Sequence, residues 1–128
     1  MKKTMLLTET ELEMMLVLWD RGQGTVREVM NGLSADRPRA YTSVATILRI
    51  LEEKGFVTSE KRGRRLLYAP TLSRSRYEGR NLGDLLGRLF GGDPLALVRR
   101  LVDSSSMSAA ELRAARALFT DRLAGTEE

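Results

Sequence analysis

The sequence predicts a mainly α-helical protein carrying one small β-hairpin, and three observations predict it. Three amphipathic segments with helix-start signals fill the first half of the chain. A basic hairpin pattern follows the third of them. Beyond Pro70 the chain becomes leucine-rich, with Tyr77, Phe90 and Phe119 its only aromatic residues. Three helices and then a basic hairpin is the order of a winged helix-turn-helix domain, here residues 1–71. Residues 72–128 are left as a helical dimerisation region.

The first helix is expected from about Thr8 to Asp20. Thr8 and Glu11 have capping-box spacing, and Leu12, Met15, Leu16 and Trp19 form the apolar stripe. Met14, Val17 and Leu18 widen that stripe, which places this helix centrally; Gly22-Gln23-Gly24 ends it. Trp19, Met14, Met15 and Met30 are core residues on this reading. A second helix starts at Thr25 with Glu28 closing its box, and Val26, Val29, Met30 and Leu33 recur at helical spacing. Ser34 to Arg39 is a turn. The third helix lies within Ala40 to Val57, where Val44, Ile47, Leu48 and Leu51 make one stripe and Gly55 the stop.

Phe56 to Lys61 and Arg65 to Pro70 read as the two strands of a hairpin, with Arg62-Gly63-Arg64 between them. A long helix is expected over Leu72 to Phe90, ended by Gly91-Gly92. Asp93 then caps a short helix that has Pro94 at its first position and Leu95, Val98, Leu101 and Val102 on its stripe. Ser104-Ser105-Ser106 is a polar break. Ser108 with Glu111 opens the last helix, which carries Leu112, Ala115, Leu118 and Phe119, and Gly125 to Glu128 are expected to fray.

Three short helices could hardly bury these leucine stripes by themselves, and pairing with a second copy resolves the difficulty. Leu82, Leu85, Leu86, Leu89, Leu112, Leu118 and Phe119 are the candidate dimerisation residues. Gly79, Gly83 and Gly87 recur every four residues in the long helix. They make either a small-residue seam for close helix approach or a deliberately weak helix.

The third helix carries the functional signal. Thr42, Ala45, Thr46 and Arg49 share a face opposite its apolar stripe, and an ordinary solvated face would carry several lysines and glutamates instead. Short side chains allow close approach to a surface, and one arginine can fork onto a guanine edge or a phosphate. Thr42, Ser43, Ala45, Thr46 and Arg49 are therefore the candidate contacts to a DNA major groove. Ala45 suits a thymine methyl, while Thr42 or Ser43 either reaches the groove or caps the helix start. Glu52 and Glu53 would be repelled by phosphates, so the helix should enter N-terminus first. Lys61, Arg62, Arg64 and Arg65 of the hairpin are candidates for phosphates or the minor groove. Tyr41 either touches backbone or packs. From Arg37 to Arg65 eight basic residues face three acidic ones, an excess of five that exceeds the chain's net charge of +4. Such clustering is the footprint of a polyanion partner.

The chain has neither cysteine nor histidine. That excludes disulfides, thiol nucleophiles, the commonest general base and the usual zinc and copper sites. No nucleophile elbow or phosphate-binding glycine loop is present, so the sequence predicts no enzyme, cofactor or metal. Its apolar runs are too short for a signal peptide or a membrane span, and a cytoplasmic protein without membrane insertion is expected.

Taken together, LTETELEMMLVLW, TVREV, AYTSVATILRILEEKGFV, RLLYAP and LFGGDPLALV resemble the penicillinase-repressor family, the BlaI/MecI/CopY type of bacterial transcriptional repressors. The resemblance runs from about Leu7 to Asp121. It implies a homodimer whose winged helix reads a palindromic double-stranded DNA operator and whose C-terminal helices dimerise. It also implies a membrane sensor protease as a further partner, with cleavage near the fifth helix, around Arg99 to Val102 here. Cleaved members carry an asparagine-phenylalanine junction where this chain has Arg100-Leu101, the candidate cleavage region. Copper-responsive relatives use a C-terminal cysteine cluster that is absent from this chain. The expected function is thus sequence-specific repression by a homodimer, released by proteolysis or another stress signal. A protein-interaction module or an RNA-binding winged helix is the alternative.

Overall fold

The structure, a computed structural model, describes residues 6–104 and 106–126. Its elements are α1 (Glu9–Arg21), β1 (Gly24–Thr25), α2 (Val26–Gly32), α3 (Tyr41–Glu53), β2 (Val57–Arg62), β3 (Arg65–Pro70), α4 (Arg74–Phe90), α5 (Pro94–Ser104) and α6 (Ala109–Thr126). The chain divides into two compact units, one ending at Asp84 and the other starting at Leu85.

Local chemistry sets the helix starts. Thr8 Oγ accepts from the Glu11 N–H at 3.1 Å while the Glu11 carboxylate accepts from the Thr8 N–H at 3.0 Å. Thr25 and Glu28 repeat this reciprocal pair at 3.2 and 2.9 Å, and Ser108 and Glu111 at 3.1 and 2.8 Å. Each pair satisfies two backbone donors that a helix start leaves orphaned. Asp93 accepts from the Leu95 N–H at 3.0 Å, with Pro94 as the first helical residue.

The first unit is built around a three-helix core closed by the sheet. Met14, Met15 and Leu18 of α1, Val29 of α2, and Val44, Leu48 and Leu51 of α3 are fully buried. Each large side chain among them contributes about 1.5–3 kcal/mol relative to an exposed position. Trp19 and Met30 pack against this cluster without being fully enclosed. The sheet order is β1-β3-β2, antiparallel throughout. The hairpin closes on the Arg62↔Arg65 pair through a two-residue turn, and Gly63 takes its first position with φ of 64°, a conformation that favours glycine. Gly55 stops α3 with φ of 88°, as its position suggested.

Four details differ from the sequence reading. Gly24 and Thr25, expected only to end one helix and cap the next, also form a short strand against Tyr68 and Leu67. That pairing covers the outer edge of β3. The fourth helix begins at Arg74, not Leu72, because Ser73 Oγ accepts from the Arg76 N–H at 3.1 Å and caps it there. The Leu72 carbonyl instead accepts from Trp19 Nε1 at 2.9 Å. Gly125 and Thr126, expected to fray, continue α6, with Thr126 Oγ1 donating to the Leu123 carbonyl at 3.1 Å. The rest of that expected fray, residues 127–128, lies outside the described residues.

The fourth difference is Tyr77, which anchors the start of α4 to the winged-helix core. Its ring is 5.5 Å from Trp19 and 6.1 Å from Phe56, and its hydroxyl accepts from the Leu7 N–H at 3.0 Å. In contrast, α5 and α6 bury none of their residues. Among the described residues no helix is long and apolar enough to cross a membrane.

Candidate nucleic-acid interface

The start of α3 settles what Thr42 and Ser43 do locally. Ala40 occupies the N-cap and makes no side-chain cap bond, so the two hydroxyls lie inside the first turn. Both are exposed, as are Thr46 and Arg49, and the hydroxyls of Thr42, Ser43 and Thr46 make no hydrogen bond among the described residues. Ala45 is half-buried against the core. The opposite face holds Val44, Leu48 and Leu51 and fixes the rotation of the helix. Its C-terminal end is tied down: Ser59 Oγ donates to the Glu52 carboxylate at 2.8 Å, and Lys54 Nζ donates to Glu11 at 2.7 Å. Burial alone would raise the Glu11 carboxyl, but the hydrogen bonds from Lys54 and the Thr8 N–H outweigh it and hold its pKa below the ordinary value.

The cations of this region sort into two groups. Arg37 reaches Glu9 at 3.1 Å and Glu13 at 3.0 Å, and Arg39 reaches Glu13 at 3.3 Å. The hydrogen bonds to Glu13 and Glu9 push the Arg37 pKa above its ordinary value. With Lys54 committed to Glu11, three of the eight basic residues counted between Arg37 and Arg65 belong to structural ion pairs. Arg62 makes only a long 3.4 Å contact with Glu60. Arg49, Lys61, Arg64 and Arg65 make no ion pair among the described residues, and all four are exposed. The available positive charge is therefore narrower than the raw count suggested, and it sits on α3 and the hairpin.

A cleft of about 330 Å³ lies between these two elements and the first turn of α2. Ala45 and Arg49 line it from α3, Arg64 and Arg65 from the hairpin, and Arg27 from α2. Thr25, Tyr41 and Tyr68 complete its polar lining. Thr42, Ser43 and Thr46 are not part of its lining, nor are Lys61 and Arg62. Two of the cleft's residues escaped the sequence reading. Arg27 lies with its guanidinium 5.3 Å from the Tyr41 ring centroid, a cation–π arrangement between α2 and α3. Tyr68, on the central strand, looked like an ordinary strand residue. No local pattern marks Tyr68, whereas an arginine in the first turn of the helix that precedes the candidate recognition helix is a signal that marks Arg27.

The expected dimerisation residues remain uncovered within the chain. Leu82, Leu85, Leu89, Leu112, Leu118 and Phe119 are exposed, from 41% for Leu112 to 71% for Leu118, and Leu86 is half-buried. Leu95, Leu101, Val102 and Leu123 are also exposed large apolar residues; of these, Leu123 was absent from every stripe read from the sequence. Arg100 and Leu101 are both exposed on α5. A Cβ added at Gly79, Gly83 or Gly87 meets nothing within 4 Å. Among the described residues no cluster of acidic side chains could hold a metal ion.

Comparison with known proteins agrees with this architecture. The penicillinase repressor family model matches residues 7–121. The penicillinase repressor of Bacillus licheniformis is 28% identical over 112 residues, covering 88% of each chain. A transcriptional regulator BlaI from Mycobacterium tuberculosis is 40% identical over 75 residues, which span 58% of this chain and 54% of that protein. Among solved structures, the solution structure of the DNA binding domain of the repressor BlaI is similar with a TM-score of 0.50 and 32% identity. It covers 59% of this chain and 92% of that one. With nearly its whole length matched, its capped helices in order and its basic hairpin in place, this chain belongs to the penicillinase repressor family.

Proposed function

We propose that the chain is a sequence-specific DNA-binding transcriptional repressor that acts as a cytoplasmic homodimer on a palindromic operator. The observation that carries this reading is the surface shared by α3 and the hairpin. The hydroxyls of Thr42, Ser43 and Thr46 make no hydrogen bond, and Arg49, Lys61, Arg64 and Arg65 no ion pair, among the described residues, while neighbouring arginines are tied up in ion pairs. The reading assigns Thr42, Ser43, Ala45, Thr46 and Arg49 to the major groove, and Lys61, Arg62, Arg64 and Arg65 to phosphates or the adjacent minor groove. Relatives named as repressors, and a structural relative named as a DNA binding domain, support it.

Residues 1–71 act as the DNA-binding domain and 72–128 as the dimerisation region. The exposed apolar residues of α4 to α6, with none buried on α5 or α6, support a second copy as their cover. Two linked half-site contacts bind far more tightly than one, so an event that weakens the dimer lifts repression. Cleavage at Arg100-Leu101 by a membrane sensor protease is one such event. Both residues are exposed, and α5 buries no residue within the chain, which lowers the cost of the local opening a protease needs.

Titration against duplexes carrying inverted repeats from the promoter of the chain's own gene, and against scrambled duplexes, tests the proposal. Binding should favour an inverted repeat and weaken by roughly 0.9 log units per log unit of salt for each phosphate neutralised. Equal and weak binding to all duplexes would overturn it and favour a protein-interaction or RNA-binding role.

A further inference from the structure

Tyr68 carries a hydroxyl that the fold does not use. The residue is 4% exposed, and its ring belongs to the core cluster. It stands on the central strand β3, opposite Gly24 of β1 and Ser59 of β2. Its hydroxyl makes no hydrogen bond among the described residues, whereas the hydroxyl of Tyr77, also buried, is satisfied by Leu7. Yet no fully enclosed side-chain oxygen or nitrogen among those residues lacks a partner. The Tyr68 hydroxyl therefore reaches open space, and the space that Tyr68 lines is the cleft between α3 and the hairpin. Buried tyrosine hydroxyls ordinarily find a partner, and phenylalanine would fill the same core volume.

The surroundings indicate the missing partner. Arg49 and Arg65 line the same cleft, with Val26, Ala45 and Leu66 as apolar wall that strengthens electrostatic attraction inside it. Burial and the nearby Glu52 carboxylate hold the Tyr68 phenol above its ordinary value, against the opposing pull of Arg49. The hydroxyl is thus a proton donor at neutral pH. Glu28, the carboxylate near Arg65, is already engaged by Arg21 at 3.2 Å and by the Thr25 N–H. The ligand this lining fits is an oxyanion. When a helix fills a major groove and the adjoining hairpin reaches the neighbouring minor groove, one sugar-phosphate strand runs between the two elements.

We propose that this cleft seats one phosphate of the DNA backbone, which accepts hydrogen bonds from the Tyr68 hydroxyl and from the guanidinium groups of Arg49 and Arg65. The proposal rests on the DNA-binding reading and sharpens it. It changes one assignment of that reading: Arg49 moves from a base edge in the major groove to the backbone, and base recognition is left to Thr42, Ser43, Ala45 and Thr46.

The test uses full-length Tyr68→Phe, Arg49→Ala and the double variant with a short duplex of random sequence, because a phosphate contact is independent of sequence. Tyr68→Phe should melt at or above the wild-type temperature, since no intrachain bond is lost. Its DNA affinity should fall roughly ten- to a hundredfold, the loss expected for one hydrogen bond to a charged group. Its salt slope should be unchanged, because a neutral donor releases no counterion. Arg49→Ala should lower affinity and reduce the slope by about 0.9. The double variant should lose less than the product of the two single losses, because both groups act on one phosphate. Tyr68→Phe binding as tightly as wild type, while wild type binds with steep salt dependence, overturns the seat and leaves the repressor reading standing. Wild type that binds no duplex overturns both. Inorganic phosphate, compared with chloride at equal ionic strength, separates the two sources of the anion. If it raises the melting temperature of wild type but not of Tyr68→Phe, and DNA affinity is the same for both, the occupant is a free ion and the DNA assignment fails.

Discussion

Replacing Glu11 by glutamine isolates the charge that locks α3 in position. One carboxylate oxygen accepts from the Thr8 N–H at 3.0 Å, and the other accepts from Lys54 Nζ at 2.7 Å. The Glu11 side chain is only 8% exposed, while Lys54 retains 30% exposure and can return to water. Glutamine keeps an acceptor for the cap and removes the charge. The expected cost is about 1–2 kcal/mol at pH 7, from the weakened charge-assisted bond. Glu11→Ala also loses the cap partner, which adds about 1 kcal/mol. Because the folded carboxyl titrates below its ordinary 4.5, its contribution is fully present above that pH and is lost as the pH falls through the folded pKa. Urea titrations of wild type and Glu11→Gln across this range measure the difference directly. The gap should be full at neutral pH and close once wild-type Glu11 is itself protonated. A glutamine variant as stable as wild type at pH 7, or a gap that persists unchanged in acid, would refute the reasoning.

Other perturbations probe the packing and the surfaces. Gly32→Ala places a Cβ 2.7 Å from Val17 Cγ1, so the α1–α2 contact must shift, and a loss of about 1–3 kcal/mol is expected in thermal melts. Combining it with Val17→Ala should recover part of that loss; no recovery would locate the strain elsewhere. Gly83→Ala meets nothing within 4 Å and should stabilise α4 by about 1 kcal/mol with dimerisation unchanged. A weakened dimer in sedimentation would instead support a glycine seam between copies. Phe119→Asp, at a position 55% exposed within the chain, should leave the melting of the first unit intact while shifting sedimentation towards monomer. An unchanged dimer would remove α6 from the interface.

Local signals were the legible ones. The capping boxes at Thr8, Thr25 and Ser108 depend on residues three apart, so spacing alone places them. Amphipathic stripes gave the core because Val44, Leu48 and Leu51 need only the helical period to share a face. Features created by distant partners stayed hidden. Gly24 and Thr25 are a strand only because Leu67 and Tyr68 lie beside them. Arg37 and Arg39, in the turn between α2 and α3, looked like part of a DNA-facing charge cluster until Glu9 and Glu13 of α1 claimed them. Tyr77 belongs to the winged-helix core across a sequence separation of 70 from Leu7, and no periodicity within its own helix announces that. The candidate site was thus legible on α3 and in the hairpin, whereas Arg27 and Tyr68 became visible only when three elements met around one cleft.

Selection from a pool of random-sequence duplexes tests the central claim most directly. The full-length chain is used to capture bound DNA, and the recovered sequences are aligned. A homodimeric reader should return an inverted repeat whose half-sites lie about one helical turn, or a multiple of it, apart. Recovery of an isolated half-site, or of no common sequence at all, would contradict it.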